Sequence, residues 1–194
     1  GFSFSLPAGS FSDVDIGDSL SYSATLADGS ALPSWLSFNS SSQSFSGTPL
    51  NGDVGSIMVR VTATDGHAAT VFKDFSLTVT NTNDAPTALT IANQSATEDS
   101  GFSFTLPAAS FSDMDIGDSL SLSATLADGS ALPSWLSFNS SSHSFSGTPL
   151  NGDVGSITVR VTATDGSNAS VFKDFSLSIT NTNDAPTALT IANQ

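Results

Sequence analysis

The chain repeats itself. Residues 1–94 align with residues 101–194 without a gap, and 83 of the 94 aligned positions, about 88%, are identical. The differences are mostly mild, such as Val14 against Met114 or Val79 against Ile179. A period of 100 residues is too long for solenoid repeats, whose units have about 20–50 residues. It matches the size of whole domains arranged in a row, so we expect a tandem of folded domains.

The repeat also predicts where each domain begins. The segment 84–100 precedes the second aligned block, and its first residues recur at 184–194. We therefore expect one complete domain over residues 84–183. Residues 1–83 are expected to form a domain that lacks its first strand, and residues 184–194 to begin a third repeat. The sequence is thus interpreted as an excerpt from a longer chain.

Apolar residues alternate with small polar residues through most of each repeat. The pattern covers 102–106, 120–126, 157–163 and 175–179. This period of two is typical of half-buried antiparallel strands, and Asp-Gly and Asn-Gly turn signals separate the runs. With an opening strand over 88–97 and a short pair over 135–147, a repeat has about seven strands. We predict an all-β chain of tandem seven-stranded antiparallel β-sandwiches with an immunoglobulin-like fold.

The charge of the chain excludes several classes of partner. Asp and Glu total 18 against 4 Lys and Arg, which gives a formal net charge of −14. Binding to nucleic acid or to an anionic membrane needs a cluster of basic groups, so both are disfavoured. The charge favours bound cations instead. The chain has no Cys, which excludes disulfides and thiolate zinc sites. No apolar run approaches the roughly 18 residues of a membrane-spanning helix.

The acidic residues fall mainly on predicted turns. Because alternate loops of a seven-stranded sandwich share an end, one group is expected at the junction between the repeats. It comprises Asp53, Asn83, Asp84, Asp113, Asp115, Asp118 and Asp165. Asp13, Asp15, Asp18 and Asp65 occupy the equivalent loops of the first repeat. Glu98 and Asp99 are expected at the opposite end of the second domain, beside Asn183 and Asp184.

Carboxylates that converge on a short linker repel one another unless a cation lies between them. Calcium takes six to eight oxygen ligands in flexible geometry, whereas magnesium demands a tight octahedron. We therefore predict calcium sites formed by these residues. The run D-x-D-x-G-D is not an EF-hand, since its twelfth position is Ala24 or Ala124. The alternative is that Asp simply caps turns, which applies to Asp53 and to the Asp-Gly pairs at Asp65 and Asp165. Asp74 and Asp174 follow Lys73 and Lys173 and are expected to form weak surface pairs.

Several motifs resemble a known family. N-T-N-D-A-P at 81–86 and 181–186 resembles the linker motif of cadherins. F-S-D-x-D-I-G-D-S-L at 11–20 and 111–120 resembles the cadherin-like, dystroglycan-type repeats of bacterial surface and secreted proteins. The resemblance implies calcium between successive domains, with Asn83, Asp84, Glu98, Asp113 and Asp115 among its ligands. The linker departs from the cadherin form D-x-N-D-N-A-P by one weaker oxygen donor and one missing residue.

The sequence does not favour an enzyme. His67 and His143 are the only histidines, and each is replaced in the other repeat. We predict a calcium-stiffened stalk or spacer module of a long extracellular adhesin or surface fibre, whose partners are the neighbouring repeats. One alternative is a carbohydrate-binding module of a secreted protein that stacks sugars or cell-surface glycans on Trp35 and Trp135. For the two tryptophans themselves, however, we favour the interpretation that they cap the core at a strand entry. Another is a filament in which residues 184–194 add as a strand to the first domain of another copy.

Overall fold

The chain is almost entirely β-structure. The computed structural model describes residues 1–15 and 17–189. The chain divides into two compact units, Gly1–Thr82 (unit 1) and Asn83–Gln194 (unit 2). Within the described ranges the only helical segments are two short 3-10 turns, Asn51–Asp53 and Asn151–Asp153, and none is long and apolar enough to cross a membrane. The predicted all-β fold is confirmed.

Unit 1 consists of two three-stranded antiparallel sheets. Its strands are β1 (Phe2–Ser5), β2 (Ser21–Leu26), β3 (Leu36–Asn39), β4 (Ser44–Gly47), β5 (Gly55–Thr64) and β6 (Thr70–Val79). One sheet has the order β1-β4-β3 and the other has the order β2-β5-β6. Along β5, buried and more exposed residues alternate from Val59 to Thr64. This alternation is the period-2 pattern that the sequence predicts.

Unit 2 repeats this plan and adds three short strands. Its strands are β7 (Thr87–Ala88), β8 (Gln94–Thr97), β9 (Phe102–Thr105), β10 (Phe111–Ser112), β11 (Ser121–Leu126), β12 (Leu136–Asn139), β13 (Ser144–Gly147), β14 (Gly155–Thr164) and β15 (Ser170–Thr180). The sheets have the orders β12-β13-β9 and β11-β14-β15-β8, and β7 pairs with β10. Both main sheets contribute to one core. The Phe145 and Phe175 rings meet edge to face, with centroids 5.6 Å apart.

The opening strand of unit 2 differs from the prediction. A single antiparallel strand is expected over 88–97, but the chain forms β7 and β8 with a break between them. β7 pairs antiparallel with β10, whereas β8 pairs in parallel with the last strand, β15. Ile91 lies in the break and is only 3% exposed. The segment therefore crosses from one edge of the sandwich to the other and buries an apolar side chain on the way.

The tryptophans belong to the core. Trp35 and Trp135 are partly buried and pack against the core clusters of their units. Their backbone lies against a glycine of the neighbouring strand. A Cβ atom built on Gly147 would lie 1.8 Å from the carbonyl oxygen of Trp135. This close approach fixes the strand entry, and it favours the core interpretation of the indoles over an exposed sugar platform.

The basic residues lie in the long strands. Asp74 pairs with Arg60 on the neighbouring strand, with two N–O distances of 2.8 Å, so the expected pairing with Lys73 is wrong. The cause is the register, which places Arg60 and Asp74 opposite each other. The Arg60 guanidinium also lies 3.9 Å from the ring centroid of Phe72. Unit 2 repeats the arrangement with Arg160 and Asp174.

Candidate metal centre

The acidic loop between β10 and β11 folds back on itself and gathers three carboxylates. Asp113 Oδ1 accepts a hydrogen bond from the Asp115 N–H at 2.9 Å, and the Asp118 N–H donates to the Asp115 carbonyl at 3.3 Å. Gly117 between them has a φ of 93°, in the region that favours glycine. As a result, one carboxylate oxygen from each of Asp113, Asp115 and Asp118 lies within 4.8 Å of the others.

The linker at the start of unit 2 is attached to the same loops. The Asp84 N–H donates to Asp115 Oδ2 at 2.8 Å. The Asn83 side-chain amide donates to Asp165 Oδ2 at 2.9 Å. The loop after β14 therefore joins the acidic loop at one end of unit 2, together with the linker. The sequence predicts this convergence, because these loops share an end of the sandwich.

Asp165 serves mainly as an acceptor for neighbouring N–H groups. Its Oδ1 accepts from the N–H groups of Ser167 and Ala169, and its Oδ2 accepts from Asn83. The Asn83 hydrogen bond lowers the pKa of Asp165 most; burial opposes it, and the backbone N–H groups lower the pKa further. Asp165 is 5% exposed and stays ionised in this environment. Its geometry thus combines the predicted Asp-Gly turn with a contact to the linker.

Two carboxylate oxygens of the acidic loop are buried without a partner. Asp113 Oδ2 and Asp115 Oδ1 accept no hydrogen bond from any residue that the structure describes. The second oxygen of each carboxylate is held by a backbone N–H, so the side chains cannot swing out without breaking that bond. A buried charge without a partner is costly. A cation among these oxygens would remove the cost.

A second acidic site lies at the opposite end of unit 2. Glu98 is only 1% exposed, and its Oε1 accepts a hydrogen bond from the Thr182 N–H at 2.5 Å. Its Oε2 is buried and has no hydrogen-bond partner in the described part of the chain. Asp99 follows with a φ of 59° and donates its N–H to the Pro149 carbonyl at 2.8 Å.

The linker residues after β15 adjoin this end. The Asn151 amide donates to Asp184 Oδ2 at 2.7 Å, and the Asn183 amide donates to the Asp184 carbonyl at 3.3 Å. Glu98, Asn183 and Asp184 therefore belong to one end of unit 2, as the topology predicts. The bonds from Thr182 and Asn151 are not visible in the sequence, because they join segments 84 and 33 residues apart.

Unit 1 has a more open version of the acidic loop. Asp13, Asp18 and Asp65 bring carboxylate oxygens within 4.8 Å of one another. Asp15, unlike its equivalent Asp115, is exposed and is not in this group. His67, which sequence reasoning did not connect with the loop, has its Nδ1 3.3 Å from Asp18 Oδ2. Asp53 Oδ2 accepts from the Leu50 N–H at 2.8 Å, which is the geometry of a turn cap.

The donor set of unit 2 fits calcium. Both ends offer carboxylates and linker amides, and neither offers sulfur or imidazole among the residues named above. Oxygen donors on loops and a linker are what calcium prefers. At the first end the ion would be held by Asp113, Asp115 and Asp118 with the linker residues Asn83 and Asp84. At the second end Glu98 is the central donor.

Comparison with known proteins gives the family. The family model described as "Putative Ig domain" matches residues 1–80 and again residues 85–180. A "Serine-rich adhesin for platelets" of Staphylococcus aureus (strain MRSA252) is 32% identical over 149 residues, which is 77% of this chain and 10% of that protein. The chain thus spans a tenth or less of the length of such relatives.

Solved structures with the same fold include cadherin ectodomains. Human CDH23 EC21-23 matches with a TM-score of 0.59 and 17% identity over 83% of this chain and 58% of that chain. Protocadherin Gamma B7 domains 1–4 match with a TM-score of 0.52 and 16% identity over 86% of this chain and 42% of that chain. These likenesses show the fold, and they agree with the resemblance seen in the linker motif. The chain belongs to the "Putative Ig domain" family, as a tandem of immunoglobulin-like and cadherin-like repeats of the kind found in surface proteins.

Proposed function

We propose that this chain is a calcium-stiffened spacer of a long extracellular adhesin or surface fibre. In this proposal its task is mechanical. It extends and stiffens a stalk that presents another part of the protein. Calcium neutralises the acidic loops and holds the linker residues against them. The module performs no catalysis in this proposal.

The observation that carries the proposal is the set of buried carboxylate oxygens without partners. Asp113, Asp115 and Glu98 each use one oxygen to hold a backbone or linker N–H and leave the other oxygen buried and unsatisfied. Turn-capping aspartates differ, since Asp128 is exposed and accepts from the Ser130 N–H and hydroxyl. The unsatisfied oxygens thus single out a subset of the acidic residues.

The linker is the element on which the ion would act. Asp84 is bound to Asp115 through its backbone, and Asn83 to Asp165 through its side chain. Neutralising Asp115 removes the repulsion that would push the acidic loop and the linker apart. Millimolar calcium outside cells fills sites of this class, whereas submicromolar calcium leaves them empty. The stalk would therefore be stiff at the millimolar calcium found outside cells and flexible without calcium.

The similarity to a staphylococcal adhesin supports the surface location and the spacer role. The chain covers only a small part of that protein, which is what a repeated module within a long surface protein would do. Near-identity of the two repeats favours a demand for length over a demand for two different binding sites.

The test combines calcium titration calorimetry with small-angle scattering of the whole chain. Wild type is expected to bind at least one calcium ion and to become more extended and less variable in shape when calcium is added. Asp115→Ala should lose most of that shape change, while the melting temperature of either unit should change little. Asp128→Ala makes the same charge change at an exposed turn cap and should behave like wild type. A scattering curve of Asp115→Ala in calcium that matches wild type would refute the mechanism.

A further inference from the structure

One dipeptide of the chain combines a reactive side chain with an unhindered neighbour. Among the asparagines of the sequence, only Asn51 and Asn151 are followed by glycine. The side-chain amide of asparagine can be attacked by the backbone nitrogen of the next residue, and a side chain on that residue obstructs the approach. Glycine has no Cβ and leaves its nitrogen accessible. The Asn-Gly pairs are therefore the positions at which this chain is most open to chemical change in water.

The pair in unit 2 lies in the second 3-10 turn, where solvent reaches it. Asn151 and Gly152 are both exposed, and a Cβ atom built on Gly152 would meet no atom within 4 Å. The hydrogen bond that closes the turn is donated by the Asp153 N–H to the Leu150 carbonyl at 2.8 Å. The Gly152 N–H comes before that bond, so the turn itself does not hold it. Asn51, the equivalent residue of unit 1, is partly buried, so Asn151 is the more accessible of the two.

The Asn151 side chain connects the turn to the segment that follows β15. Its amide donates a hydrogen bond to Asp184 Oδ2 at 2.7 Å. The turn is tied to the sandwich from the other side, because the Asp99 N–H donates to the Pro149 carbonyl at 2.8 Å. Asn151 thus acts as a clamp between the body of unit 2 and Asp184, and the clamp depends on the amide being a hydrogen-bond donor.

We propose that Asn151 is a site of spontaneous deamidation, and that its conversion to a carboxylate releases Asp184 from the body of unit 2. The Gly152 nitrogen loses its proton and attacks the side-chain carbonyl carbon of Asn151, which forms a new C–N bond. The amide nitrogen takes up that proton and leaves as ammonia, and a cyclic succinimide remains. Water then adds to one of the two ring carbonyls and opens the ring to aspartate or isoaspartate. Water is the only co-reactant, so the reaction needs no enzyme.

Either product places a carboxylate where the amide now donates. Asp184 then loses its donor and faces a like charge at close range, which repels it strongly. Isoaspartate also inserts a further carbon into the main chain between Leu150 and Asp153, whose two mutual hydrogen bonds hold the turn closed. The segment after β15 therefore becomes less ordered as the chain ages. This inference needs no metal ion and does not rest on the calcium proposal.

The first arm of the test follows the reaction in the whole chain. Wild type is kept in chelator at mildly alkaline pH, where the attacking nitrogen loses its proton more readily, and samples are taken over time. Tandem mass spectrometry of its peptides gives the converted fraction of each asparagine. We expect Asn151 to convert several-fold faster than Asn168, which is exposed in the same unit but is followed by Ala169. Similar rates at the two asparagines would overturn the proposal.

Gly152→Ala is the matched variant for this arm. The added methyl group meets no atom within 4 Å, so the melting temperature of unit 2 should stay close to that of wild type. The same methyl group obstructs the attacking nitrogen, so the conversion of Asn151 should slow several-fold while that of Asn168 stays unchanged. An unaltered rate at Asn151 in this variant would contradict attack by the Gly152 nitrogen.

The second arm tests the release of Asp184, with NMR relaxation of its backbone amide as the measure of order. Asn151→Asp fixes the aspartate product and should make Asp184 more mobile than in wild type, in chelator at neutral pH. Adding Asp184→Asn to that variant restores an amide and a carboxylate with their roles exchanged, so the order should return. Asn168→Asp makes the same charge change away from the clamp and should leave Asp184 unaffected. Unchanged relaxation in Asn151→Asp, or no recovery in the double variant, would refute release by charge repulsion.

Discussion

The side-chain amide of Asn83 donates to the carboxylate of Asp165 at 2.9 Å, across 82 residues of sequence. Through this bond, a residue of the linker and a residue of the loop after β14 share one end of unit 2. The same bond is the main cause of the lowered pKa of Asp165. It therefore offers a way to observe the attachment of the linker at a single titrating group.

Asn83→Ala should raise the pKa of Asp165 toward the ordinary value of about 3.9. A carboxyl whose folded pKa is depressed adds stability that is present above its unfolded pKa and lost as pH falls through its folded pKa. The variant should thus have a smaller contribution at neutral pH, and its stability should fall less steeply than that of wild type as pH drops below the unfolded pKa. Carboxyl-detected NMR titration of Asp165 measures the change, with Asp128, whose pKa is lowered by Ser130, as an internal reference. An unchanged titration of Asp165 would show that the linker amide is not its partner in solution.

Glu98→Gln should act in opposite directions with and without calcium. In chelator the variant removes a buried charge with an unsatisfied oxygen, so the melting temperature of unit 2 should rise. In calcium at a hundredfold excess over Kd, wild type gains about 2.7 kcal/mol from one site, and the variant should lose most of that gain. Thermal melts in chelator and in calcium check whether the melting temperature shifts in opposite directions. Asp128→Asn is the charge-matched control. Parallel shifts in both conditions would mean that Glu98 holds no ion.

Ala68→Asn should stabilise unit 1, and Asn168→Ala should destabilise unit 2. Ala68 has a φ of 68° and Asn168 a φ of 69°, at equivalent positions of the same turn. Asn tolerates this left-handed region better than Ala does, so each change should alter the free energy of unfolding by about 1 kcal/mol. Chemical denaturation of both variants gives the values. Changes of the same sign in the two variants would contradict the backbone argument.

Gly147→Ala should be severely destabilising for unit 2. The added methyl would lie 1.8 Å from the Trp135 carbonyl oxygen, so the two strands would have to separate. We expect a loss of more than about 3 kcal/mol in unfolding free energy, at the high end for single substitutions. Gly152→Ala meets no atom within 4 Å and serves as the control, with a change within about 0.5 kcal/mol. Similar melting curves for the two variants would refute the close approach.

The acidic end of unit 2 can be predicted well from the sequence, because a chain with these strands and turns can adopt few topologies. Once strands alternate with period 2 and turns separate them, the loops that hold Asp113 and Asp165 must share an end with the linker. Which oxygens stay unsatisfied is a different matter. It depends on whether a backbone N–H reaches them, as the Asp84 N–H reaches Asp115, and no pattern of residue types contains that distance.

The partners that side chains find on neighbouring strands are also hard to predict from the sequence, because no pattern of residue types contains the distances between strands. Asp74 stands next to Lys73 in the sequence, yet it pairs with Arg60 because register is set by the strands as a whole. The parallel pairing of β8 with β15 likewise depends on a segment that leaves one edge and reaches the other. A single apolar residue, Ile91, between β7 and β8 does not indicate in the sequence that the segment takes this path.

The location of the basic residues has a consequence for durability. Proteases of the trypsin class cut only after Lys or Arg, and the chain has four such residues, Arg60, Lys73, Arg160 and Lys173. All four lie inside β5, β6, β14 and β15, and the linker around residues 80–87 has none. Such an enzyme finds no cleavage site in the linker between the two units, and it must wait for a long strand to leave its sheet. The rate of tryptic digestion of this chain therefore measures how often each unit unfolds. In the presence of such enzymes, the chain should stay intact for as long as its long strands remain in their sheets.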